Sequence, residues 1–221
     1  MSATPFKRLI FRAVLRDVYP MVIRLIAVPD SLDLSDFDDI FHAVLGWESG
    51  IGYAFQIHGQ EFNSLQRKTR SQKLRDFRLH RQEKFLYKLG ALDQWEWKLR
   101  VVDLQDGAKG DETPVCVGGQ GAPPPQYSGG PTGYRLMLKR QKQGEAMCTP
   151  VQMEAMIGMF SAADPDEPAS TWQTLRQALH DGFQSIDRRL QEYGPLEPER
   201  LSLQEANQRL AQRLEHRRFR A

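Results

Sequence analysis

Hydrophobic and polar residues alternate along the first part of the chain, which is the pattern of strands with one buried face. Residues 6–18 alternate in this way, and residues 21–28, rich in Val and Ile, predict a second strand. Further strands are predicted at 52–59, 84–91 and 95–104, and residues 60–63 are expected to return after the third strand as a short hairpin. The short turn at 90–93 predicts that the last two of these strands pair antiparallel. Between the second and third strands, apolar residues recur at helical spacing over 34–45. We expect Asp30 or Ser31 to cap this helix and Gly46 to end it.

The pattern changes after the last of these strands. Residues 116–133 contain three consecutive prolines and six glycines, which predicts neither helix nor interior strand. Residues 65–84 are predicted to form an exposed loop with a short helical turn. Helical spacing follows at 134–142, 150–160 and 171–193, and Ser202-x-x-Glu205 forms a capping box at the start of a final helix.

This order of elements predicts an α+β fold, because strands come first and helices gather afterwards. We expect a mainly antiparallel, roll-like sheet with an N-terminal helix between strands and a helical C-terminal part. The predicted domains are an α+β core at 1–142 and a helical extension at 143–221. The last helix, at about 202–218, is predicted to pack back on the core.

Composition narrows the class of protein. The 221 residues are 40% hydrophobic and 26% charged, and no apolar run approaches the ~20 residues that span a bilayer. The first residues lack the apolar stretch of a secretory signal. Cys116 and Cys148 are too few for a disulfide scaffold or a four-cysteine zinc site. We therefore expect a cytoplasmic protein that neither crosses nor binds a membrane; the sequence leaves its oligomeric state open.

Several ordered motifs carry a family resemblance. Pro20-x-x-Ile23-Arg24 precedes Val28-Pro29, and the predicted helix ends in Gly46-Trp47. Further along stand Phe85-x-Tyr87, Asp93-x-Trp95-Glu96, Cys116-x-x-Gly119, Pro124-Pro125, Gly129-Gly130-x-x-Gly133-Tyr134 and Leu203-x-x-Ala206-Asn207-x-x-Leu210. Over residues 6–142 and about 197–212 the chain resembles the plasmid pRiA4b ORF-3-like proteins, which include insertion-sequence passenger proteins labelled TnpR. The resemblance implies an α+β roll, an origin in mobile DNA, and a structural role for Trp47, Tyr87, Trp95, Pro124, Pro125, Gly129, Gly130 and Tyr134.

The chain also departs from the family pattern at polar positions. Ile51 and Tyr53 stand where the family usually has histidines, and Gln126 and Tyr127 replace two acids. Of the polar cluster that the resemblance implies, Asp93, Glu96 and Cys116 remain. The resemblance therefore identifies this chain as a divergent member.

Asp93, Glu96 and Cys116 are the candidate catalytic residues. Two close carboxylates can split their pKa values for acid–base work or hold a metal, which would suit a metal-assisted hydrolase or nuclease-like enzyme. The alternative interpretation is that Asp93 is a turn residue and Glu96 faces outward from a strand. Alternation along the strand places Glu96 on the face opposite to that of Trp95 and Trp97. The histidines show no paired ligand spacing, so no metal site and no cofactor are predicted.

Two basic clusters offer a second kind of chemistry. Residues 67–84 hold eight Lys or Arg against two acids, a net charge of +6, and arginines recur along the final helix. Such clusters can contact phosphates, or they can simply be solvated. The candidate nucleic-acid contacts are Arg67, Lys68, Arg70, Lys73, Arg75, Arg78, Arg209, Arg213, Arg217 and Arg220. The leading hypothesis is a non-enzymatic accessory or binding module that contacts nucleic acid or a protein partner.

Overall fold

The structure is a computed structural model that describes residues 6–50, 52–66, 71–90, 95–107, 112–143, 173–174, 177, 181, 188 and 196–218. The chain divides into two compact units, one formed by Met1–Pro131 with Glu197–Ala221 and the other by Thr132–Leu196. The predicted domain boundary near residue 142 stays a prediction. The helix predicted at 150–160 lies outside the described residues, as does most of the one at 171–193.

The described residues form one sheet of seven strands. The strands are β1 Lys7–Leu15, β2 Ile23–Pro29, β3 Tyr53–Ile57, β4 Gln60–Asn63, β5 Lys84–Leu89, β6 Trp95–Asp106 and β7 Val115–Gln120. They lie in the order β4-β3-β5-β6-β1-β2-β7, and every neighbouring pair is antiparallel. The described helices are α1 Leu34–Leu45, α2 Gly130–Gln143 and α3 Leu203–Arg218. The predicted α+β class with a mainly antiparallel sheet is therefore confirmed.

Helix α1 begins and ends where its backbone groups find partners. Asp33, rather than the predicted Asp30 or Ser31, is the N-cap, because its Oδ1 accepts a hydrogen bond from the Asp36 amide at 2.7 Å. Gly46 ends the helix as predicted, in the left-handed region at φ 74°. A Cβ at this position would lie 3.1 Å from the Arg209 Nε, so both the backbone and the space favour glycine.

The core lies between α1 and one face of the sheet, where aromatic rings interlock. Phe37 packs edge-on against Phe11 with ring centroids 5.4 Å apart, and Phe41 lies 4.9 Å from Trp97 and 5.1 Å from Tyr87. These side chains are fully buried. Burying one such ring stabilises the fold by about 1.5–3 kcal/mol, so this layer fixes α1 on the sheet.

The described part of the predicted loop, residues 71–84, is anchored to its neighbours. A 3-10 turn at Leu74–Phe77 carries two buried apolar side chains. The Leu74 amide donates to the Leu32 carbonyl at 2.8 Å, and the Phe77 ring packs against Phe62 at 5.1 Å. The predicted turn is confirmed; backbone hydrogen bonds join it to the residues before α1, and the Phe77 ring joins it to β4.

The proline- and glycine-rich segment contains two elements that its composition did not predict. Its first part pairs with β2 as β7, an edge strand, which agrees with the exclusion of an interior strand. Its last part begins α2 at Gly130, so the exclusion of helix was wrong there. Gly121 follows β7 at φ 72°, and a Cβ there would lie 2.8 Å from the Met21 carbonyl oxygen. Close backbone approach explains that glycine.

Helix α3 packs on α1 and β7. The Glu205 amide donates to the Ser202 Oγ at 3.2 Å, which places the N-terminus as the capping box predicts. Ala206 and Leu210 are buried on the inner face of the helix. None of the helices within the described part of the chain is long and apolar enough to cross a membrane.

Candidate functional site

The candidate catalytic residues that are described do not come together. Glu96 lies on β6 and forms an ion pair with Arg16, whereas Cys116 lies on β7. Strands β1 and β2 stand between them, so they are separated by three strand spacings, about 14 Å. Asp93 lies outside the described residues. As predicted, Trp95 and Trp97 are buried on one face of β6 and Glu96 lies on the other face.

The Cys116 thiol lies in a setting that disfavours a nucleophile. The side chain is buried, and burial raises the pKa of the thiol despite the nearby guanidinium of Arg24. Its backbone is held by Asn207, whose side chain accepts from the Cys116 amide at 2.8 Å and donates to the Cys116 carbonyl at 2.9 Å. In the described ranges no group of three or more His, Cys, Asp or Glu side chains could hold a metal ion.

A buried polar cluster joins α1 to the sheet. The Tyr87 hydroxyl donates to the Asp38 carboxyl, and the His42 Nδ1 lies 2.9 Å from the Asp38 carbonyl oxygen. Burial raises the pKa of Asp38 to about 7 against the opposing hydrogen bond from Tyr87, and burial lowers the pKa of His42. Sequence reasoning missed this cluster, although Asp38 and His42 stand four residues apart on the apolar stripe of the predicted helix.

The residues that the family resemblance marks as structural hold the proline-rich loop. The Trp47 Nε1 donates to the Pro124 carbonyl at 2.9 Å, and the Trp95 Nε1 donates to the Gln126 carbonyl at 3.0 Å. The Gln126 side chain accepts from the Glu48 amide at 2.7 Å and donates to the Glu48 carbonyl at 3.0 Å. Pro125 is buried beside them, Gly129 and Gly130 have positive φ, and Tyr134 is buried. Through these contacts the proline-rich loop is packed against Trp47, Glu48 and Trp95.

The arginines of α3 contact the chain itself. Arg209 donates from Nε to the Ala43 carbonyl at 3.2 Å, at the carboxyl end of α1, and lies 3.8 Å from the Glu205 carboxylate. Arg213 donates to the Ser49 Oγ at 2.8 Å. The Arg217 side chain and Arg220 lie outside the described residues. These contacts use side-chain N–H groups of Arg209 and Arg213, which the sequence analysis expected to contact phosphates.

The basic loop is described only in part. Lys73, Arg75 and Arg78 are arranged around the 3-10 turn and are all exposed, whereas Arg67, Lys68 and Arg70 lie outside the described residues. Arg81 follows, with its Nε 3.2 Å from the Val102 carbonyl of β6. This contact brings the basic loop to the sheet, where β5 begins at Lys84.

A row of cations crosses the sheet on the face opposite the core. Lys84 of β5 pairs with Arg100 of β6, and Arg100 pairs with Arg12 of β1. Buried residues alternate with these positions, so the three side chains of this cation row share the outer face, with Lys84 exposed and the two arginines half-buried. Within the described residues none of the three forms an ion pair with a carboxylate.

The cation row has further positive charge around it. Lys88 and Lys98 are exposed on the same outer face of β5 and β6. Two acids of β6 lie nearby and are paired with other arginines, Glu96 with Arg16 and Asp103 with Arg81. Sequence reasoning missed this surface, because residues from three separate strands become neighbours only through their register.

Comparison with known proteins places the chain in a family. The sequence profile described as "Plasmid pRiA4b ORF-3-like protein" matches residues 7–166. The "Uncharacterized protein y4hQ" of Sinorhizobium fredii (strain NBRC 101917 / NGR234) is 25% identical over 188 residues, which cover 77% of this chain and 89% of that protein. A crystal structure titled "Protein of Unknown Function MM3350", from Methanosarcina mazei Go1, is similar with a TM-score of 0.57 and 26% identity, over 63% of this chain and 83% of that one. Since the profile match covers well over half of the chain, this protein belongs to the plasmid pRiA4b ORF-3-like family.

Proposed function

We propose that this protein is a non-enzymatic accessory module that binds nucleic acid through the outer face of its sheet. The observation that carries the proposal is the cation row of Lys84, Arg100 and Arg12, which are cross-strand neighbours without carboxylate partners among the described residues. Like charges directly opposite each other destabilise a sheet, whereas opposite charges at such positions stabilise it by roughly 0.2–1 kcal/mol per pair. A polyanion bound to this face relieves that repulsion.

The extent of the charged surface favours a polymer over a small anion. The cation row spans two strand spacings, about 10 Å, and Lys88 and Lys98 widen it along the strands. Arg81, in the basic loop, contacts β6 through the Val102 carbonyl and lies 4.0 Å from the Asp103 carboxylate. Several phosphates in series can contact such a surface, and each contact releases counterions from the nucleic acid.

The description of the family is consistent with the proposal that this protein binds nucleic acid. The family takes its name from a plasmid reading frame, and the origin in mobile DNA that the resemblance implies is compatible with a nucleic-acid ligand. The hydrolase alternative gains no support from the geometry, since Glu96 is paired with Arg16 and Cys116 is a buried thiol on another strand. If the protein binds no DNA in the titration described below, a protein partner with an acidic surface replaces nucleic acid as the leading candidate.

The test is a binding titration against salt with matched charge variants. Fluorescence anisotropy of labelled 20-base duplex and single-stranded DNA is measured from about 50 to 200 mM salt. The variant Lys84→Gln/Arg100→Gln/Arg12→Gln removes the cation row. The control Arg135→Gln/Lys139→Gln/Lys142→Gln removes three charges of the same sign from α2. Circular dichroism establishes that both variants fold.

The proposal predicts that the wild type binds DNA and that the cation-row variant loses affinity. The slope of log K against log salt becomes shallower by about 2–3, because up to three phosphate contacts are lost at about 0.9 each. The control keeps most of the wild-type affinity. Absence of binding near 50 mM salt, or equal losses in both variants, refutes the proposal.

A further inference from the structure

The loop between β1 and β2 presents an exposed aromatic ring. Tyr19 is 82% exposed and Met21 is 45% exposed, whereas Val18 and Val22 on either side are buried. The two valines anchor the loop, and the residues between them project away from the sheet. The Tyr19 ring is therefore accessible to a partner that approaches this end of the sheet.

Both sides of this loop are fixed to neighbouring strands. The Leu15 amide donates to the Val22 carbonyl at 3.0 Å, and the Arg16 amide donates to the Glu96 carbonyl of β6 at 2.9 Å. On the other side, the buried Arg24 donates to the Gly121 carbonyl at 2.9 Å, next to the close approach of Gly121 to Met21. The Tyr19 ring therefore projects from a braced support, which lowers the entropy cost of using it in binding.

The loop lies at one end of the outer face. Leu15, where β1 ends, is three residues beyond Arg12 of the cation row, about 10 Å along the strand. The side chains that β1, β5 and β6 present on this face are charged or aliphatic except for Gln105, and none of them is aromatic. They can contact phosphates, but they offer no ring on which a base can stack. Tyr19 supplies that ring.

We propose that Tyr19 stacks on a base of single-stranded nucleic acid whose phosphates lie along the cation row. This inference rests on the proposed function and adds the strandedness of the ligand. An unpaired base presents its face to an aromatic side chain, whereas a paired base is covered by its neighbours in the duplex. The loop adds no net positive charge, because Arg16 is paired with Glu96 and the adjacent Asp17 is acidic. The loop therefore acts through stacking.

The test compares two Tyr19 variants on two polyanions, one of which has no bases. Tyr19→Ala removes the ring and Tyr19→Phe keeps it. The probes are a labelled 20-base oligothymidylate and inorganic polyphosphate of similar charge. We expect Tyr19→Ala to bind the oligonucleotide at least about fivefold more weakly than the wild type, and Tyr19→Phe to bind it like the wild type. Both variants are expected to bind polyphosphate like the wild type.

The outcomes separate this inference from the function on which it rests. If the wild type binds neither probe, the proposed function fails and the inference fails with it. If the wild type binds both probes and Tyr19→Ala keeps full affinity for the oligonucleotide, the stacking role is refuted and the basic surface stands. An equal loss for oligonucleotide and polyphosphate also refutes stacking, because polyphosphate has nothing on which a ring can stack.

Discussion

The Asp38 carboxyl makes the stability of this protein depend on pH in a direction opposite to that of most surface carboxylates. It is buried on the inner side of α1, accepts a hydrogen bond from Tyr87, and has its pKa raised from 3.8 to about 7 by burial. The folded state therefore holds this proton more tightly than the unfolded chain does. The resulting stabilisation is complete below the unfolded pKa and is lost as pH rises through about 7.

The size of the effect follows from the shift. Between pH 5 and pH 8 the native carboxyl loses its proton with a pKa near 7, whereas in the unfolded chain it is already ionised. From pH 5 to the native pKa near 7 the pH rises by two units, each worth about 1.4 kcal/mol. The free energy of unfolding therefore falls by about 3 kcal/mol over this interval. The variant Asp38→Asn has no proton to lose at this position, and the side-chain oxygen of the amide can still accept from the Tyr87 hydroxyl.

The assay is urea denaturation of the wild type and Asp38→Asn at pH 5 and pH 8. The free energy of unfolding of the wild type is expected to fall relative to that of Asp38→Asn by about 2–3 kcal/mol between these pH values. His42, whose lowered pKa acts in the opposite direction, is present in both proteins, so it largely cancels in the difference. The exposed Asp106 provides a matched control as Asp106→Asn, which is expected to follow the wild type.

Equal pH dependence in the wild type and Asp38→Asn would refute this reasoning. It would mean that Asp38 is ionised in the native state across the interval, through the neighbouring Arg213 or through water.

Two further predictions concern the contacts that hold α3 and α1. Asn207→Ala removes both hydrogen bonds to the backbone of Cys116 on the edge strand, and the free energy of unfolding in urea is expected to fall by about 1–3 kcal/mol, whereas a change below about 0.3 kcal/mol would show that water replaces them. Gly46→Ala places a Cβ at φ 74° and 3.1 Å from Arg209, so we expect a loss of about 1 kcal/mol or more in the same measurement, and an unchanged or higher stability would contradict the role of Gly46 as the helix end.

Local patterns predicted most of the fold. Alternation located β1 and enrichment in Val and Ile located β2, each within a few residues, and helical spacing located α1. The cap of α1 was misplaced by two or three residues, since Asp30, Ser31 and Asp33 are all chemically able to cap and only the backbone path selects Asp33. The pairing of the edge strand β7 with β2 was not predicted. The glycines of β7 allow its backbone to approach its neighbours closely, but in a sequence such glycines are typical of loops.

The candidate sites were harder to predict than the fold. The arginine spacing along α3 looked like a phosphate-binding face, yet the side chain of Arg209 turns to carbonyls at the end of α1, which lie far away in sequence. The cation row joins residues 12, 84 and 100, whose proximity depends on the strand order β5-β6-β1. The burial of Asp38 follows from the packing of α1 against Tyr87 of β5, a contact between two separate elements.

Arg100→Gln tests most directly whether the cation row binds DNA at the expense of the stability of the fold. Arg100 has a cation on each side, whereas Lys98 on the same face pairs with Leu86 and Val14, so Lys98→Gln is the matched control. At low salt the account predicts that Arg100→Gln raises the free energy of unfolding by about 0.5–1 kcal/mol while weakening DNA binding several-fold. Lys98→Gln is expected to weaken binding without the gain in stability. An Arg100→Gln protein that is less stable than the wild type, or that binds DNA equally well, would contradict the account.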